Sequence, residues 1–417
     1  MGDIQQRLRV LAGAARYDAS CASGRAGARD SGRPPPAGVC HSWSDDGRCI
    51  SLLKILLSNH CIYDCAYCAN RASATVDRAT FTPEEIAELT MHFYRRNYIE
   101  GLFLSSGVLR SPDYTMELMI RTAELLRREH GFRGYLHMKA IPGASEALLQ
   151  RAGLLADRVS VNIELPTEVS LRALAPDKKR EDILRPMDRL HTAIENHRAA
   201  RKRDRKTPRF SPSGQSTQLI VGASPEPDRQ ILTLADALYR KYGLRRVYYS
   251  AFMPVSDDPR LPHPSGADLL REHRLYQADW LVRLYGFGPE EVLEPGTENL
   301  DRELDPKTAW ALRHPECFPV RVQQAPLEEL VRVPGLGLIS ARRIIAARRH
   351  AQLSVEDLTR IGVVMKRARY FIECSGVPAA CRRWNAERVR AELLARRPAP
   401  ASSAGVQGEL AFAGAAG

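Results

Sequence analysis

Three cysteines stand close together in the stretch Cys61-Ile62-Tyr63-Asp64-Cys65-Ala66-Tyr67-Cys68, at the spacing C-x3-C-x2-C. An odd number of thiols on one loop does not make a disulfide framework, and nothing else marks a secreted chain. Structural zinc wants a fourth thiolate or imidazole at a regular offset, and none follows closely. Three thiolates on a tight loop can instead hold three irons of a [4Fe-4S] cluster, because soft sulfur suits iron–sulfur chemistry. The fourth iron is then open to a non-protein ligand. The chemistry implied is a redox-active metal site on Cys61, Cys65 and Cys68.

The elements that must position this loop follow from the apolar pattern. The run Leu52-Leu53-Lys54-Ile55-Leu56-Leu57 reads as a buried strand leading into it. From Ser51 to about Pro295, short apolar strands are expected at 51–57, 101–105, 134–139, 158–163, 216–221 and 246–252. Helical stretches such as 82–97 and 113–129 lie between them. Thr82-Pro83-Glu84-Glu85 supplies a cap, a proline at the first helical position and acids at the positive end. Strand–helix alternation predicts an α/β fold with a parallel sheet and right-handed crossovers. In barrels of this kind the chemistry sits on loops after the strand C-termini, where the cysteine loop falls.

Other residues at the expected strand ends are candidates for the same site. Leu104-Ser105-Ser106-Gly107-Val108 closes the second strand, and Gly107 would let backbone approach a ligand. His137 and Lys139 end the third. Ser160, Asn162 and Glu164 share one face of the fourth if it runs as a strand, and polar groups facing a barrel interior are costly unless they bind something. Tyr248, Tyr249 and Phe252 on the sixth either line a base-sized pocket or pack the core. A helix is expected to about His197. The basic run Arg198 to Arg209 then reads as a loop, because Pro208 and Pro212 interrupt it.

C-x3-C-x2-C with an aromatic, Tyr67, before its last cysteine resembles the signature of the radical S-adenosylmethionine (SAM) enzymes. The resemblance implies a partial (β/α)6 radical SAM TIM-like barrel, a [4Fe-4S] cluster, and S-adenosyl-L-methionine on the open iron. It implies reductive cleavage of SAM to a 5′-deoxyadenosyl radical that abstracts hydrogen from substrate. It also implies a reductant such as flavodoxin or ferredoxin. Ser105, Ser106 and Gly107 stand where the superfamily has a Gly-Gly-Glu-like loop that binds the SAM amino group. Asn162 and Glu164 stand where it has polar contacts to SAM. Thr217 to Ala223 resembles the glycine motif that packs on the adenine.

The chain has 417 residues, 44% of them apolar, and a formal charge of +12. Residues 321–400 hold 16 Lys and Arg against 7 Asp and Glu, so most of the excess is C-terminal, where a polyanion would be met. No apolar h-region and no run of eighteen apolar residues is found, so a cytoplasmic protein without a signal peptide or membrane span is expected. Free thiols suit that reducing setting. Cys21, Cys40 and Cys49 precede the cluster loop at spacings that leave an auxiliary metal site and ordinary thiols both open. Cys317, and Cys374 with Cys381 near Trp384, read as ordinary thiols.

Val333-Pro334-Gly335-Leu336-Gly337 between two helical stretches resembles the turn of a helix-hairpin-helix DNA-binding motif. Its glycines would present backbone N–H groups to a DNA phosphate at the start of the next helix, with Arg342 and Arg343 adding charge. A second copy follows, capped at Ser354, with a turn at Gly362 and Lys366 and Arg367 beyond it. Asp305-Pro306 opens a connecting helix. In the tail, Gln407-Gly408-Glu409-Leu410-Ala411-Phe412 resembles the peptide that binds the bacterial sliding clamp.

A radical SAM barrel joined to a helix-hairpin-helix module resembles a bacterial family described as DNA modification/repair radical SAM proteins. Cys-His-Ser-Trp at 40–43, Asn97 to Gly107 and Pro-Asp-Lys-Lys at 176–179 carry this wider resemblance. The expected organisation is an N-terminal helical and loop extension (1–50), the core barrel (51–300), a helical connector (301–325), the DNA-binding module (326–385) and a flexible tail (386–417). The expected function is modification or repair of a nucleotide in DNA. An RNA-modifying radical enzyme and a redox-sensing iron–sulfur DNA-binding protein are the alternatives.

Overall fold

The computed structural model describes residues 2–15, 38–43, 49–377 and 385–395. Cys21, Cys381, Trp384 and the Gln407–Phe412 peptide lie outside the described residues. The chain divides into two compact units, Met1–Arg302 and Glu303–Gly417.

The first unit is built on one seven-stranded sheet whose strands neighbour one another in chain order. Strand β1 (Val39–Trp43) pairs antiparallel with β2 (Cys49–Leu56). From β2 onward every pairing is parallel, through β3 (Gly101–Ser105), β4 (Tyr135–Lys139), β5 (Arg158–Ser160), β6 (Gln215–Val221) and β7 (Arg246–Ala251). The six parallel strands form a curled half-barrel of the kind the strand–helix alternation predicts.

Local signals formed the helices as expected. Helix α2 (Pro83–Arg95) opens on a capping box in which Thr82 and Glu85 satisfy each other's backbone N–H. Helix α3 (Pro112–Glu124) is capped by Ser111 and runs into a short π-helical segment, Leu125–Glu129. Helices α4 (Glu146–Leu155), α5 (Glu168–Leu174), α6 (Arg180–Arg203), α7 (Asp228–Tyr242), α8 (Leu269–Tyr285) and α9 (Pro289–Val292) complete the unit.

Two expectations are corrected below. The N-terminal segment starts with the expected helix, α1 (Gly2–Ala15), which buries Leu11 and Ala15 completely, and β1 covers the β2 edge that would otherwise be unpaired. Arg7 on α1 reaches Glu85 through two hydrogen bonds of 2.9 and 2.7 Å. The basic run is helical as far as Arg203, since Pro208 and Pro212 lie beyond the last turn and remove no bond from it. The fourth parallel strand stops at Ser160 rather than residue 163.

The second unit is mainly helical, with a two-stranded parallel ribbon, β8 (Val320–Arg321) and β9 (Ile372–Glu373). Helix α10 (Pro306–Arg313) is capped by Asp305, whose carboxylate accepts the Thr308 N–H. Two short helix pairs follow, α11 (Leu327–Leu330) with α12 (Leu338–Ala347), and α13 (Val355–Ile361) with α14 (Met365–Ala368). Ser354 caps α13 as expected. Ala341, Ile344 and Leu358 are fully buried between the pairs.

Candidate active site at the barrel mouth

The cysteine loop leaves β2 through Leu57, whose N–H donates to the Ser105 carbonyl. Asn59 then turns the chain: its side chain donates to the Asp77 carbonyl at 2.7 Å and accepts the Ala79 N–H at 2.8 Å. Arg78 sits behind the loop and donates to four carbonyls, those of Asn59, Asn70 (2.9 Å), Arg71 (2.6 Å) and Ala74 (3.0 Å). A guanidinium satisfies several convergent carbonyls where no secondary structure does. Asp64 accepts the Ser73 N–H and hydroxyl, and these bonds hold its carboxyl below the usual range. Asp177 accepts the Asp64 N–H at 3.0 Å, and Ala66 N–H donates to Leu174 O, so the last residue of α5 and the segment after it clasp the loop.

Cys61, Cys65 and Cys68 all line one cavity of about 420 Å3. The Val108 N–H points at the Cys61 sulfur and the Asn70 N–H at the Cys68 sulfur, each at 3.4 Å, which favours the charged thiolate. Burial opposes that charge. It raises the Cys65 thiol and pushes Cys68 up to about 12, so a bound metal has to displace protons here. Among the described residues no three Cys, His, Asp or Glu side chains close on a single metal ion. What the three thiols share is an opening onto the same space.

The other expected residues fall in different places. Ser106 and Gly107 line the cavity, whereas Ser105 is buried and does not. Gly107 serves the loop itself: an added Cβ would lie 2.3 Å from the His60 carbonyl oxygen. Tyr67 and Asn162 line the cavity with the Tyr67 hydroxyl and Asn162 Oδ1 fully covered and lacking an aligned hydrogen-bond partner, although the Tyr67 hydroxyl lies close enough to Cys65 to offset a little of the rise that burial gives its thiol. Strand alternation does not place Glu164. Its backbone is left-handed, with φ of 64°, and is pinned to β6 by bonds to the Gln218 and Ile220 backbone. A non-glycine residue at such an angle costs about 1–2 kcal/mol and persists where its surroundings over-determine it.

Glu164 there meets Lys178 at 2.7 Å, and both side chains are largely buried. Burial opposes the lysine charge, but Cys65, Glu164 and Tyr67 around it outweigh that and hold the ammonium well above its ordinary pKa. Lys139, Tyr249 and Phe252 also line the cavity. His137 does not: it hydrogen-bonds Ser160 at 2.9 Å and packs edge-on against Phe103 in the barrel interior. Sequence reasoning missed Arg78, which carries no local signal, and the pairing role of Lys178, which stood only within the Pro-Asp-Lys-Lys stretch of the wider resemblance. Cys40 is half-buried against Ile50, Leu52 and Phe103, so it packs as an apolar thiol.

In the second unit, Arg342, Arg343, Gly362, Lys366 and Arg367 are exposed, Gly335 and Gly337 half-buried, and Pro334 buried. Gly337 is the N-cap of α12. Gly335 has φ of 83°, and a Cβ there would lie 2.7 Å from the Val364 carbonyl oxygen. Its own carbonyl accepts the Val364 N–H at 2.9 Å. This glycine seats one interhelical turn on the other, so close packing accounts for it without a phosphate. Ser340 completes the join by donating to Gly362 O, and Arg343 by donating to Ile361 O. Arg367 lies 3.3 Å from Asp305.

The family model of the Radical SAM superfamily matches residues 55–238, and a radical SAM superfamily domain is present. That superfamily uses a [4Fe-4S] cluster and S-adenosylmethionine. Three thiols on one cavity, with a buried unsatisfied amide oxygen beside them, fit such a group. Among solved structures, the chain is similar to the FeFe-hydrogenase maturase HydG from Carboxydothermus hydrogenoformans at a TM-score of 0.42 and 17% identity, over 56% of this chain and 51% of that one. A second HydG structure gives 0.40 and 14%, over 54% and 48%. The cobalamin-dependent S-adenosylmethionine radical enzyme OxsB gives 0.31 and 10%, over 47% and 32%. The chain thus spans about half the length of the HydG chains and about a third of OxsB. No curated protein matches the sequence. Among the described residues no helix is long and apolar enough to cross a membrane.

Proposed function

We propose that this chain is a radical SAM enzyme that binds duplex DNA through its C-terminal unit and modifies or repairs a nucleotide. The observation that carries the enzyme reading is the convergence of Cys61, Cys65 and Cys68 with Asn162 and the Glu164–Lys178 pair on one cavity. The cluster and SAM, when bound, supply one-electron cleavage of SAM and hydrogen-atom abstraction. The three thiols would hold the cluster. Ser106, Asn162 and the Glu164–Lys178 pair would receive the polar end of SAM, and Tyr67 and Ala66 would shield the loop from water. A reductant such as flavodoxin or ferredoxin, in a reducing cytosol, would supply the electron.

The DNA reading is supported by the paired interhelical turns and by the exposed cations Arg342, Arg343 and Lys366 on them. A reaction confined to a barrel reaches a base only when that base leaves the stack. The sliding clamp, through Gln407–Phe412, is a further proposed partner.

The test is anaerobic turnover with reductant, SAM and damaged or intact duplex DNA, followed by mass analysis of the nucleosides. Formation of 5′-deoxyadenosine with a changed nucleoside is expected. The triple change of Cys61, Cys65 and Cys68 to Ala should abolish it and leave DNA affinity intact. Absence of 5′-deoxyadenosine, or a preference for structured RNA over duplex DNA, counts against the proposal.

A further inference from the structure

We infer that Glu272 on α8, beside Ser250 near the end of β7, reads the hydrogen-bonding edge of the substrate base and selects a base that carries an amino group. This deepens, and rests on, the reading of the cavity as a radical SAM site acting on a nucleotide of DNA.

The end of the sheet carries the placement. Strand β7 finishes at Ala251, and the strands from β2 to β7 are parallel, so this is the end at which β2 delivers the cysteine loop. Glu272, in the first turn of α8, reaches that end: one carboxylate oxygen accepts the Ala251 N–H at 2.7 Å. Its side chain lines the cavity that the three cysteines open onto, at 5% exposure. The other oxygen accepts no bond from the described residues and is not fully covered, so it is reached from the cavity. Ser250, paired with Ile220 across the sheet, lines the same side with its hydroxyl unengaged by the described residues. Ala251, Phe252, Met253 and Leu269 supply apolar walls, and the last two are exposed, so this side of the cavity opens to solvent.

Hydrogen-bonding capacity then selects the ligand. Glu164, the other carboxylate on the cavity, is engaged by Lys178, whereas no cation pairs with Glu272 among the described residues. The guanidiniums beside it in the chain are turned elsewhere, Arg271 to Asp228 at 2.6 Å and Arg274 to the Asp301 carbonyl at 3.1 Å. Burial raises the Glu272 pKa, and the Ala251 N–H is what works against that rise. A buried carboxyl with a spare oxygen gains from an N–H brought to it, and a carboxyl oxygen accepts whether the group is charged or neutral. Cytosine, adenine and guanine bring an exocyclic amino group. Thymine sets a keto oxygen where cytosine has that group, so two acceptors would face each other. An apolar slot with few polar groups suits a flat ring read by its edge, which is how an extruded base is recognised.

The full chain carrying its cluster is titrated with duplexes that hold one bulged base, since an unpaired base leaves the stack at least cost. Two pairs isolate the amino group: 5-methylcytosine against thymine, and adenine against purine. The native chain is expected to bind the amino-bearing member of at least one pair about tenfold more tightly, and the pair that responds gives the ring size. Glu272→Gln keeps an oxygen for the Ala251 N–H and turns its amide N–H toward the cavity. It should lose that preference, with the cluster spectrum unchanged. The adenine of SAM offers the same amino group, so SAM affinity is measured beside that of DNA and should also be unchanged. A merely structural Glu272 would instead weaken all four duplexes alike. The native comparison needs no variant, so it decides the matter if the Gln variant loses its cluster. The inference is overturned if the native chain shows no preference in either pair, if Glu272→Gln retains it, or if SAM affinity falls, which would put Glu272 at the adenine of SAM. Continued 5′-deoxyadenosine formation by the native chain in any of those cases leaves the enzyme reading standing while this inference fails; its absence removes both.

Discussion

Replacing Arg78 by Met keeps most of the aliphatic stem and removes the guanidinium from four carbonyls. Asn59 precedes Cys61 by two residues, and Asn70, Arg71 and Ala74 follow Cys68, so the four acceptors bracket the cluster loop on both sides. Hydrogen bonds to charged groups contribute about 1.5–3 kcal/mol each when nothing replaces them. Arg78 is only half-buried, and its carbonyls can rehydrate once it is gone. The contacts also share one donor and do not add. A local cost of about 2–4 kcal/mol is expected, which is roughly a 30- to 1,000-fold rise in the opened loop. Only part of this should reach the global transition, because residues 59–74 join a core cluster chiefly through Ala66 and Tyr67 while most of the loop is half-buried or exposed. The assay pairs hydrogen exchange over those residues with iron and sulfide content after anaerobic reconstitution. Faster exchange, substoichiometric iron and a melting temperature lowered by only a few degrees are expected. Full iron content with unchanged protection would refute the staple; collapse of the whole fold would show that Arg78 supports more than the loop.

Three further predictions follow from other sites. Asn162→Leu removes a buried amide oxygen that has no partner, so the metal-free protein should be as stable or slightly more stable, while SAM affinity falls about 10- to 100-fold, read by thermal unfolding and calorimetry. Gly335→Ala should destabilise the C-terminal unit by about 1–3 kcal/mol, because a positive φ and a 2.7 Å Cβ contact must both be relieved; urea unfolding checks it. DNA affinity should then fall together with stability, whereas Arg342→Gln and Lys366→Gln should lower affinity and salt slope with the fold intact.

Lys307 supplies the third, a dependence on pH. Its ammonium donates to the Leu336 carbonyl at 2.5 Å, yet burial lowers it to about 7 against the attraction of Asp305. Between that value and the ordinary 10.5 the unfolded chain binds more protons than the folded one. Stability of the second unit should therefore rise as pH increases from about 7 toward 10, by about 2–5 kcal/mol in all. Lys307→Met should flatten the rise, seen by unfolding at several pH values.

The amino-acid sequence alone determined the features that depend on neighbours in the chain. The cysteine spacing, the six parallel strands, the Thr82 and Ser354 caps and the Asp305-Pro306 helix start all rest on residues within a few positions of one another, where propensity and capping act. Tertiary structure decided what depends on distant partners. Lys178 acquires its role only when the chain after α5 folds back on Glu164, and Glu164 aims inward only because β6 holds it left-handed. Arg78 reads as an ordinary loop cation until four carbonyls converge on it, and Gly335 as a phosphate contact until Val364 packs against it. Likewise β1 carries little strand signal of its own and forms because β2 offers an unpaired edge. Short-range signals compete with nothing but the local backbone, whereas these contacts exist only after burial has brought remote polar groups together and left each needing a partner.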